Sequence, residues 1–242
     1  MKYFNFILAA TIVAETCSAG NFPADGWGSS YLKDIPKAIA YVEAHASELT
    51  VDPPPEDDSD QTLSEIAYLN RIAENRSAKD IIQITKEHLD PYKQFFVALN
   101  IDQSDYPKLN QLIHRISRES YLPVLYFKHK FSRTRPYQID SNLSTVIDGP
   151  PHASYPSGHA TQGYLFSMIL SEILAEGDPR IARLKELGEG IGTRREIAGV
   201  HYPSDTKAGV NLAEQLKAWL MKKPEFRDAF NSAKLEFNSR EQ

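Results

Sequence analysis

Apolar residues recur every three or four positions through most of this chain, and that helical period limits its fold more than any other feature. Few stretches alternate apolar and polar residues as a half-buried strand does. The 242 residues are 41% hydrophobic and 24% charged, proportions that are ordinary for a globular protein. We therefore expect an all-α protein that folds as a single-domain helical bundle.

The same spacing places the individual helices. One is expected to begin near Leu63, with an inner face that also includes Ile66 and Leu69. Pro123 is expected to kink a long helix over 106–131, because proline removes a backbone hydrogen bond. Further helices are expected over 35–49, 78–88, 158–175, 203–220 and 224–237, and one more from Pro179.

The first 19 residues resemble a secretory signal peptide. Lys2 precedes an apolar run over 3–14 and then small residues, which predicts cleavage after Ala19 and a periplasmic or secreted protein. The run is too short for a comfortable membrane anchor, and Cys17, the single cysteine, fits a lipoprotein signal poorly. Without Cys17 the mature chain has no disulfide and relies on its core.

Residues 20–62 are expected to form an N-terminal arm, a short helix and a proline-rich strap, and residues 63–242 an all-helical domain. The strap is VDPPPEDDSDQT (51–62), whose three prolines fix φ and remove hydrogen-bond donors. No later stretch is long and apolar enough to span a bilayer, so stable membrane insertion is not expected. A formal net charge of −5 argues against a nucleic-acid partner.

Three short clusters combine basic, small and titratable residues. In KHKFSRTRPYQ, Lys128 stands seven positions before Arg135. The second cluster is PSGH, residues 156–159, and the third is RREIAGVHYPSD, residues 194–205. Each alone has an ordinary explanation, as a solvated basic helix end, a helix cap beside an incidental histidine, or a surface ion pair.

The clusters together favour a phosphate site over a metal site. His201 and Asp205 are four residues apart and could share a helix face as metal ligands. The surrounding arginine and lysine would repel a cation, so neither a metal nor another cofactor is expected. Lys128, Arg135 and Arg195 suit phosphate instead, because arginine matches its oxygens with two hydrogen bonds and lysine adds a point charge.

Phosphoryl transfer also needs a nucleophile and an acid. Backbone N–H groups near Ser157 and Gly158 would add donors at a helix N-terminus, which favours anions. Two histidines can divide the chemistry, one attacking phosphorus and one protonating the leaving oxygen. The nucleophile needs one ring nitrogen held by an acceptor, and Asp205 is the obvious acceptor for His201. His159 is left as the acid.

The order Lys-x6-Arg-Pro, Pro-Ser-Gly-His, Arg-x5-His-x3-Asp resembles the signature of the type 2 phosphatidic acid phosphatase and vanadium haloperoxidase superfamily. The exported N-terminus, the PPP strap followed by IAYLN, the SYPSGH stretch and the ending PEFRDAFNSAKLEF are similar to secreted class A bacterial non-specific acid phosphatases. The resemblance implies an all-helical core, a phosphohistidine intermediate, no metal requirement, and hydrolysis of many small phosphomonoesters at mildly acidic pH. Related enzymes often form homo-oligomers.

The resemblance also assigns roles to single residues. It implies that phosphate is bound by Lys128, Arg135, Ser157, Gly158 and Arg195. His159 is then the acid, His201 the nucleophile and Asp205 its orienting partner. Arg194 stands where the family usually has serine, and its side chain could add charge to the site or point away.

Two alternatives stay open at this point, and the lack of long apolar stretches argues against a third, a membrane-lipid phosphatase. A vanadium-dependent haloperoxidase would bind vanadate where phosphate binds, although such chains are generally much longer. A membrane-lipid phosphatase would need several transmembrane helices, and a non-catalytic exported anion-binding protein would not need the two histidines and the aspartate. The pocket walls are expected from the loop over 137–155 and the helix over 119–127, whose side chains do not identify one monoester.

Overall fold

A computed structural model describes residues 22–89 and 92–241, and for Leu89 the backbone alone. The expected signal peptide, residues 1–19, lies outside these ranges. Within them the chain forms ten α-helices, two single-turn 3-10 helices and no β-strand. The α-helices are α1 (Ser29–His45), α2 (Asp60–Glu74), α3 (Ala78–Leu89), α4 (Lys93–Leu99), α5 (Pro107–Phe131), α6 (Pro136–Ile139), α7 (Gly158–Ser171), α8 (Arg180–Ile197), α9 (Pro203–Lys222) and α10 (Pro224–Arg240).

The all-α prediction is confirmed, and the N-terminal arm shows the largest difference from the expected helices. The sequence predicts an irregular segment through residue 34, whereas α1 already begins at Ser29. α1 packs against α5 and buries Ile35, Ala38 and Val42. This packing outweighs the cost of Pro36 inside the helix.

One smaller expectation also changes. Leu63 was assigned to the inner face of α2 by its spacing, but its side chain is 52% exposed, while Ile66 and Leu69 are buried. The apolar face of α2 is therefore narrower than its sequence suggests. Pro123 lies inside α5, which continues as one helix to Phe131.

The centre of the bundle is α7, which contacts α5, α8 and α9. Two glycines permit this close packing. A Cβ atom at Gly188 would lie 2.8 Å from the Gly163 carbonyl oxygen, and one at Gly209 would lie 2.7 Å from the Ser157 carbonyl oxygen. Because neither position has room for a methyl group, the first turn of α7 lies directly against α9, where the Ser157 N–H donates to the Asp205 carbonyl at 3.0 Å.

The proline-rich strap has no helix, strand or turn over 51–56 and lies against the segments that carry the sequence clusters. The Tyr155 hydroxyl donates to the Asp52 carbonyl at 2.7 Å, and the Thr134 hydroxyl donates to the Asp57 carboxylate at 2.6 Å. The strap therefore covers the side of the bundle behind those clusters. In the part of the chain that the structure describes, no helix is both long and apolar enough to cross a membrane.

Candidate active site

The three sequence clusters meet at one cavity of about 340 Å³. The end of α5, the start of α7 and the segment before α9 place Lys128, Gly158, His159 and His201 in its wall. The other four predicted site residues, Arg135, Ser157, Arg195 and Asp205, are buried. The described structure thus brings together residues that are up to 77 positions apart (128 to 205) in the sequence.

The His201 ring is oriented by the start of α9. Its Nδ1 lies 2.9 Å from Asp205 Oδ2, which also accepts from the Tyr202 N–H at 3.1 Å as part of the helix cap. A carboxylate only accepts, so the hydrogen of neutral His201 is on Nδ1 and Nε2 carries the lone pair. Burial lowers the pKa of His201 to about 3, and the charges of Arg135 and Lys128 act in the same direction. His201 is therefore neutral in mildly acidic solution.

Asp205 is held ionised by the groups around it. Burial alone would raise its pKa, but Arg133 and His201 outweigh burial and keep the pKa of this carboxyl well below its usual range. Arg133 donates to Asp205 Oδ1 at 2.7 Å, and neither side chain is exposed. The carboxylate that orients His201 is thus itself fixed by a buried guanidinium.

Arg135 and Lys128 are fixed by backbone carbonyls. Arg135 donates to the carbonyls of His152 at 3.0 Å and Val200 at 2.7 Å, and its Nη1 lies 3.4 Å from His201 Nε2. Burial lowers the pKa of Arg135 to about 10, so it stays charged in acid and neutral solution. Lys128 Nζ donates to the carbonyls of residues 153 and 154 at 2.9 and 2.7 Å, which uses two of its three N–H groups when charged.

His159 follows the N-cap of α7 and its side chain is half-buried in the cavity wall. Its ring makes no hydrogen bond to any other described residue. Burial lowers its pKa well below the usual range, and the charge of Arg195 adds to the effect. An anion in the cavity would act in the opposite direction and favour the protonated ring. This is the behaviour required of a proton donor that is charged only when the anion is bound.

Ser157 and Gly158 shape the start of α7. Ser157 is its N-cap, and its hydroxyl accepts from the Ala160 N–H at 3.3 Å. A Cβ atom at Gly158 would meet only Val124 and Lys128, at 3.4 and 3.9 Å, which are ordinary contact distances. Protein packing therefore does not require glycine at 158, and the absence of a side chain leaves room on the cavity side.

Arg195 is buried with two unused donors. Its Nη2 donates to the Ile84 carbonyl at 3.1 Å, whereas its Nε and Nη1 have no hydrogen-bond partner among the described residues. Burial lowers its pKa to about 10, so it remains charged. Buried, charged donors without partners are uncommon in proteins and suit an anion that accepts both hydrogen bonds.

The sequence patterns did not predict that several other residues contribute to the site. Arg133, counted in a basic cluster that was expected to be mostly solvated, is fully buried, and its guanidinium lies 3.8 Å from the centre of the Tyr202 ring. Tyr31 comes from the N-terminal arm, and its ring is 4.7 Å from that of His152. His152 Nδ1 in turn lies 3.1 Å from Arg135 Nη2.

The expected pocket walls are largely where the sequence predicts them. Residues 121, 124 and 125 of α5 and residues 148–152 of the loop line the cavity, but Tyr31, His88 and Gln162 were not anticipated. Glu119 lies elsewhere and accepts from the Tyr41 hydroxyl at 2.7 Å. Among the described residues, no group of three or more His, Cys, Asp or Glu side chains could hold a metal ion.

Comparison with known proteins places this site in context. A model of the PAP2 superfamily matches residues 116–227, a range that contains all eight predicted site residues. A non-specific acid phosphatase of Providencia stuartii is 30% identical over 197 residues, covering 76% of this chain and 78% of the relative. One from Salmonella typhimurium is 26% identical, with 82% of each chain covered. An acid phosphatase of Zymomonas mobilis is 32% identical over 143 residues, and the match covers 57% of this chain and about half of that relative (53%).

Two solved structures share the fold. One is described as the first bacterial vanadium-dependent iodoperoxidase, with a TM-score of 0.56, 18% identity, and 72% of this chain and 52% of that chain covered. The other is a transmembrane PAP2 type phosphatidylglycerolphosphate phosphatase from Bacillus subtilis, with a TM-score of 0.50, 15% identity, and 78% and 91% covered. At these identities the likeness is one of fold.

Proposed function

This chain belongs to the PAP2 superfamily, as one of its acid phosphatases, and we propose that it hydrolyses small phosphate monoesters through a phosphohistidine on His201 without a metal. The observation that carries this proposal is the 2.9 Å contact between His201 Nδ1 and Asp205 Oδ2, which leaves Nε2 for attack. The unpartnered Nε and Nη1 of Arg195 support a nearby phosphate.

Substrate binding would use charge that the protein already holds in place. Arg135 and Arg195 supply donors to the phosphoryl oxygens and take the charge-neutralising role that magnesium has in other phosphoryl-transfer sites. Burial and the charge of Arg135 lower the pKa of Lys128, and a bound anion would favour its protonated form, which has a third N–H to donate. Because these groups are buried, each interaction with the anion is stronger than it would be in water. The half-buried His159 lies near enough to Arg195 and His201 to interact with both electrostatically.

The first chemical step breaks the ester and forms a P–N bond. His201 Nε2 attacks phosphorus, the bond from phosphorus to the ester oxygen breaks, and His159 gives its proton to that oxygen, so that the alcohol leaves neutral. The imidazole then carries phosphate on Nε2 and hydrogen on Nδ1. Asp205 stabilises the positive charge of this ring, as the aspartate of a hydrolase triad does.

The second step regenerates the enzyme. A water molecule attacks the phosphorus, and His159, now neutral, accepts a proton from the water. The P–N bond breaks, inorganic phosphate is released, and His201 returns to its neutral form with hydrogen on Nδ1. Each histidine thus ends the cycle in the protonation state in which it began.

The alternatives lose support at this site. The likeness to a vanadium iodoperoxidase is of fold at 18% identity and does not bring that activity to this chain. A non-catalytic anion-binding protein would not require a histidine in the cavity wall whose Nδ1 is held by a carboxylate. Phosphatase activity accounts for both features.

The direct test is chemical trapping of the intermediate. The protein is mixed with a ³²P-labelled monoester and quenched in alkali, in which phosphohistidine is stable. Label is expected on the unaltered protein and absent from His201→Ala, whose turnover of p-nitrophenyl phosphate should fall at least about 10³-fold. His129→Ala, which removes an exposed histidine, serves as the matched control. Label on His201→Ala would overturn the assignment, and strong loss of activity in EDTA would overturn the metal-free mechanism.

We also propose that residues 1–19 are a signal peptide and that the mature phosphatase is periplasmic or secreted. The apolar run after Lys2 and the small residues before Gly20 support this proposal. N-terminal sequencing of the protein from the periplasm or medium should begin at Gly20. A mature protein that starts at Met1 would contradict it.

A further inference from the structure

Glu87 of α3 is a fully buried carboxylate between two consecutive arginines of α8. Arg194 Nε lies 2.8 and 2.9 Å from its two oxygens, and Arg194 Nη2 lies 2.6 Å from Oε1. Arg195 Nη2 is more distant, at 3.6 Å from Oε2. The carboxylate is therefore engaged by Arg194 and only weakly by Arg195.

The difference between the two arginines in their distance from Glu87 matters, because Arg195 is the one whose Nε and Nη1 have no hydrogen-bond partner among the described residues. A buried carboxylate requires a positive partner, since a lone charge in the interior is costly. Without Arg194, the nearest guanidinium able to fill that role is Arg195. Its side chain would then turn toward Glu87, and the two hydrogen bonds that suit an anion would be directed to a protein carboxylate.

We propose that Arg194 is a positioning residue that neutralises Glu87 and so keeps Nε and Nη1 of Arg195 free for phosphate. The inference rests on the proposed function. Gly190, one turn earlier on α8, supports it, because a Cβ atom there would collide with the Arg194 guanidinium in the position that reaches Glu87.

A double-mutant cycle tests the competition directly. The variants are Arg194→Ser, Glu87→Gln and the two combined, and the readouts are kcat and KM for p-nitrophenyl phosphate, the inhibition constant of inorganic phosphate, and thermal unfolding. Arg194→Ser should weaken phosphate inhibition about tenfold and raise KM by a similar factor, because the freed Glu87 competes for Arg195. The combined variant should recover phosphate affinity to within about threefold, since a neutral amide competes poorly.

The controls separate positioning from a structural role. Arg183→Ser removes an exposed arginine of the same helix and should leave the phosphate inhibition constant unchanged. If Arg194 only supported the fold, adding Glu87→Gln would not restore affinity. Glu87→Gln alone should stay within about twofold of the unaltered protein. It also provides the decisive measurement if Arg194→Ser fails to fold, because a tenfold loss would mean that Glu87 holds Arg195 in place.

The outcomes also distinguish this inference from the proposed function. An unaltered protein that neither hydrolyses p-nitrophenyl phosphate nor is inhibited by phosphate would refute the phosphatase. A normal phosphatase in which Arg194→Ser leaves the phosphate inhibition constant unchanged would overturn the role of Arg194 alone.

Discussion

Arg133 and Asp205 form an ion pair with an N–O distance of 2.7 Å in which neither side chain is exposed. The opposite oxygen of Asp205 faces His201, so the pair fixes the ring proposed to attack phosphorus. Thr62 also holds Arg133 in place, because the Thr62 hydroxyl accepts a hydrogen bond from Arg133 Nη2 at 3.1 Å. The orientation of one histidine thus depends on contacts from α2, the segment after α5, and α9.

The first prediction follows from this chain of contacts. Asp205→Asn should lower kcat for p-nitrophenyl phosphate about 10²- to 10⁴-fold, because the amide no longer selects the ring form with its lone pair on Nε2. The inhibition constant of phosphate should change much less. Arg133 would keep only the more distant carboxylate of Glu65, 3.4 Å from its Nη2, so the free energy of unfolding should also fall, by about 1–3 kcal/mol. Steady-state kinetics and thermal unfolding measure both effects, with Asp228→Asn, an exposed site on α10, as the control. A kcat within tenfold of the unaltered value would contradict the orienting role.

The second prediction concerns the leaving group. His159→Asn should slow hydrolysis of alkyl phosphates about 10²- to 10⁴-fold, and that of p-nitrophenyl phosphate far less, because a basic leaving oxygen depends more on an acid. Initial rates on a series of monoesters with leaving-group pKa values between about 7 and 15 give the dependence. Equal losses across the series would rule out His159 as the acid.

The third prediction concerns the wall that the N-terminal arm contributes. The Tyr31 ring contacts His152 and lines the cavity. Tyr31→Ala should raise KM severalfold for aryl monoesters while leaving inhibition by inorganic phosphate unchanged, because we expect the ring to lie beside the alcohol of the substrate. Leu32→Ala, the next residue on α1 and 49% exposed, is the control. Equal weakening of aryl monoesters and phosphate would show that Tyr31 supports the phosphate site itself.

The fourth prediction concerns stability and pH. Glu196 is 7% exposed, and burial raises its pKa to about 7. The folded protein keeps this proton between about pH 4.5 and 7 while the unfolded chain releases it, so the contribution of Glu196 to stability decreases as the pH rises through that window. Glu196→Gln removes the effect. We therefore expect the free energy of unfolding of Glu196→Gln, minus that of the unaltered protein, to increase by about 3 kcal/mol between pH 4 and pH 8.

Denaturant unfolding at several pH values measures this difference. Glu186→Gln, an exposed site on the same helix, should show no such trend. A difference between Glu196→Gln and the unaltered protein that is constant from pH 4 to pH 8 would mean that Glu196 has the same pKa in the folded and the unfolded protein.

Much of the site could be predicted because its chemistry is concentrated in three short clusters. The 3.6-residue period placed Lys128, the start of α7 and the start of α9 on helices, and their charges pointed to an anion. Spacing alone could not distinguish Arg133 from its neighbours, because its burial depends on Thr62 and Asp205, which are distant in sequence. Arg194 was ambiguous for the same reason, since its partner Glu87 stands 107 positions away.

The fold shows a similar limit. Leu63 fits the apolar period of α2 but is 52% exposed among the described residues, so its side of α2 is not covered by them. The composition of the arm before Ile35 predicts an irregular segment. Its residues from Ser29 onward nevertheless form a helix, because α1 packs on an apolar surface of α5. In both cases the result depends on which surfaces meet, and a local pattern carries no information about that.

The contact at Gly209 has a consequence for how such a phosphatase can diversify. At Gly209, α9 touches the backbone of the first turn of α7, which carries His159, while Asp205 on α9 holds the His201 ring. Exchange of Tyr31, which takes no part in that contact, can therefore change which alcohol fits while the packing of α7 against α9 stays the same. The helix contact at Gly209 and the residues that surround the alcohol can therefore change independently in evolution.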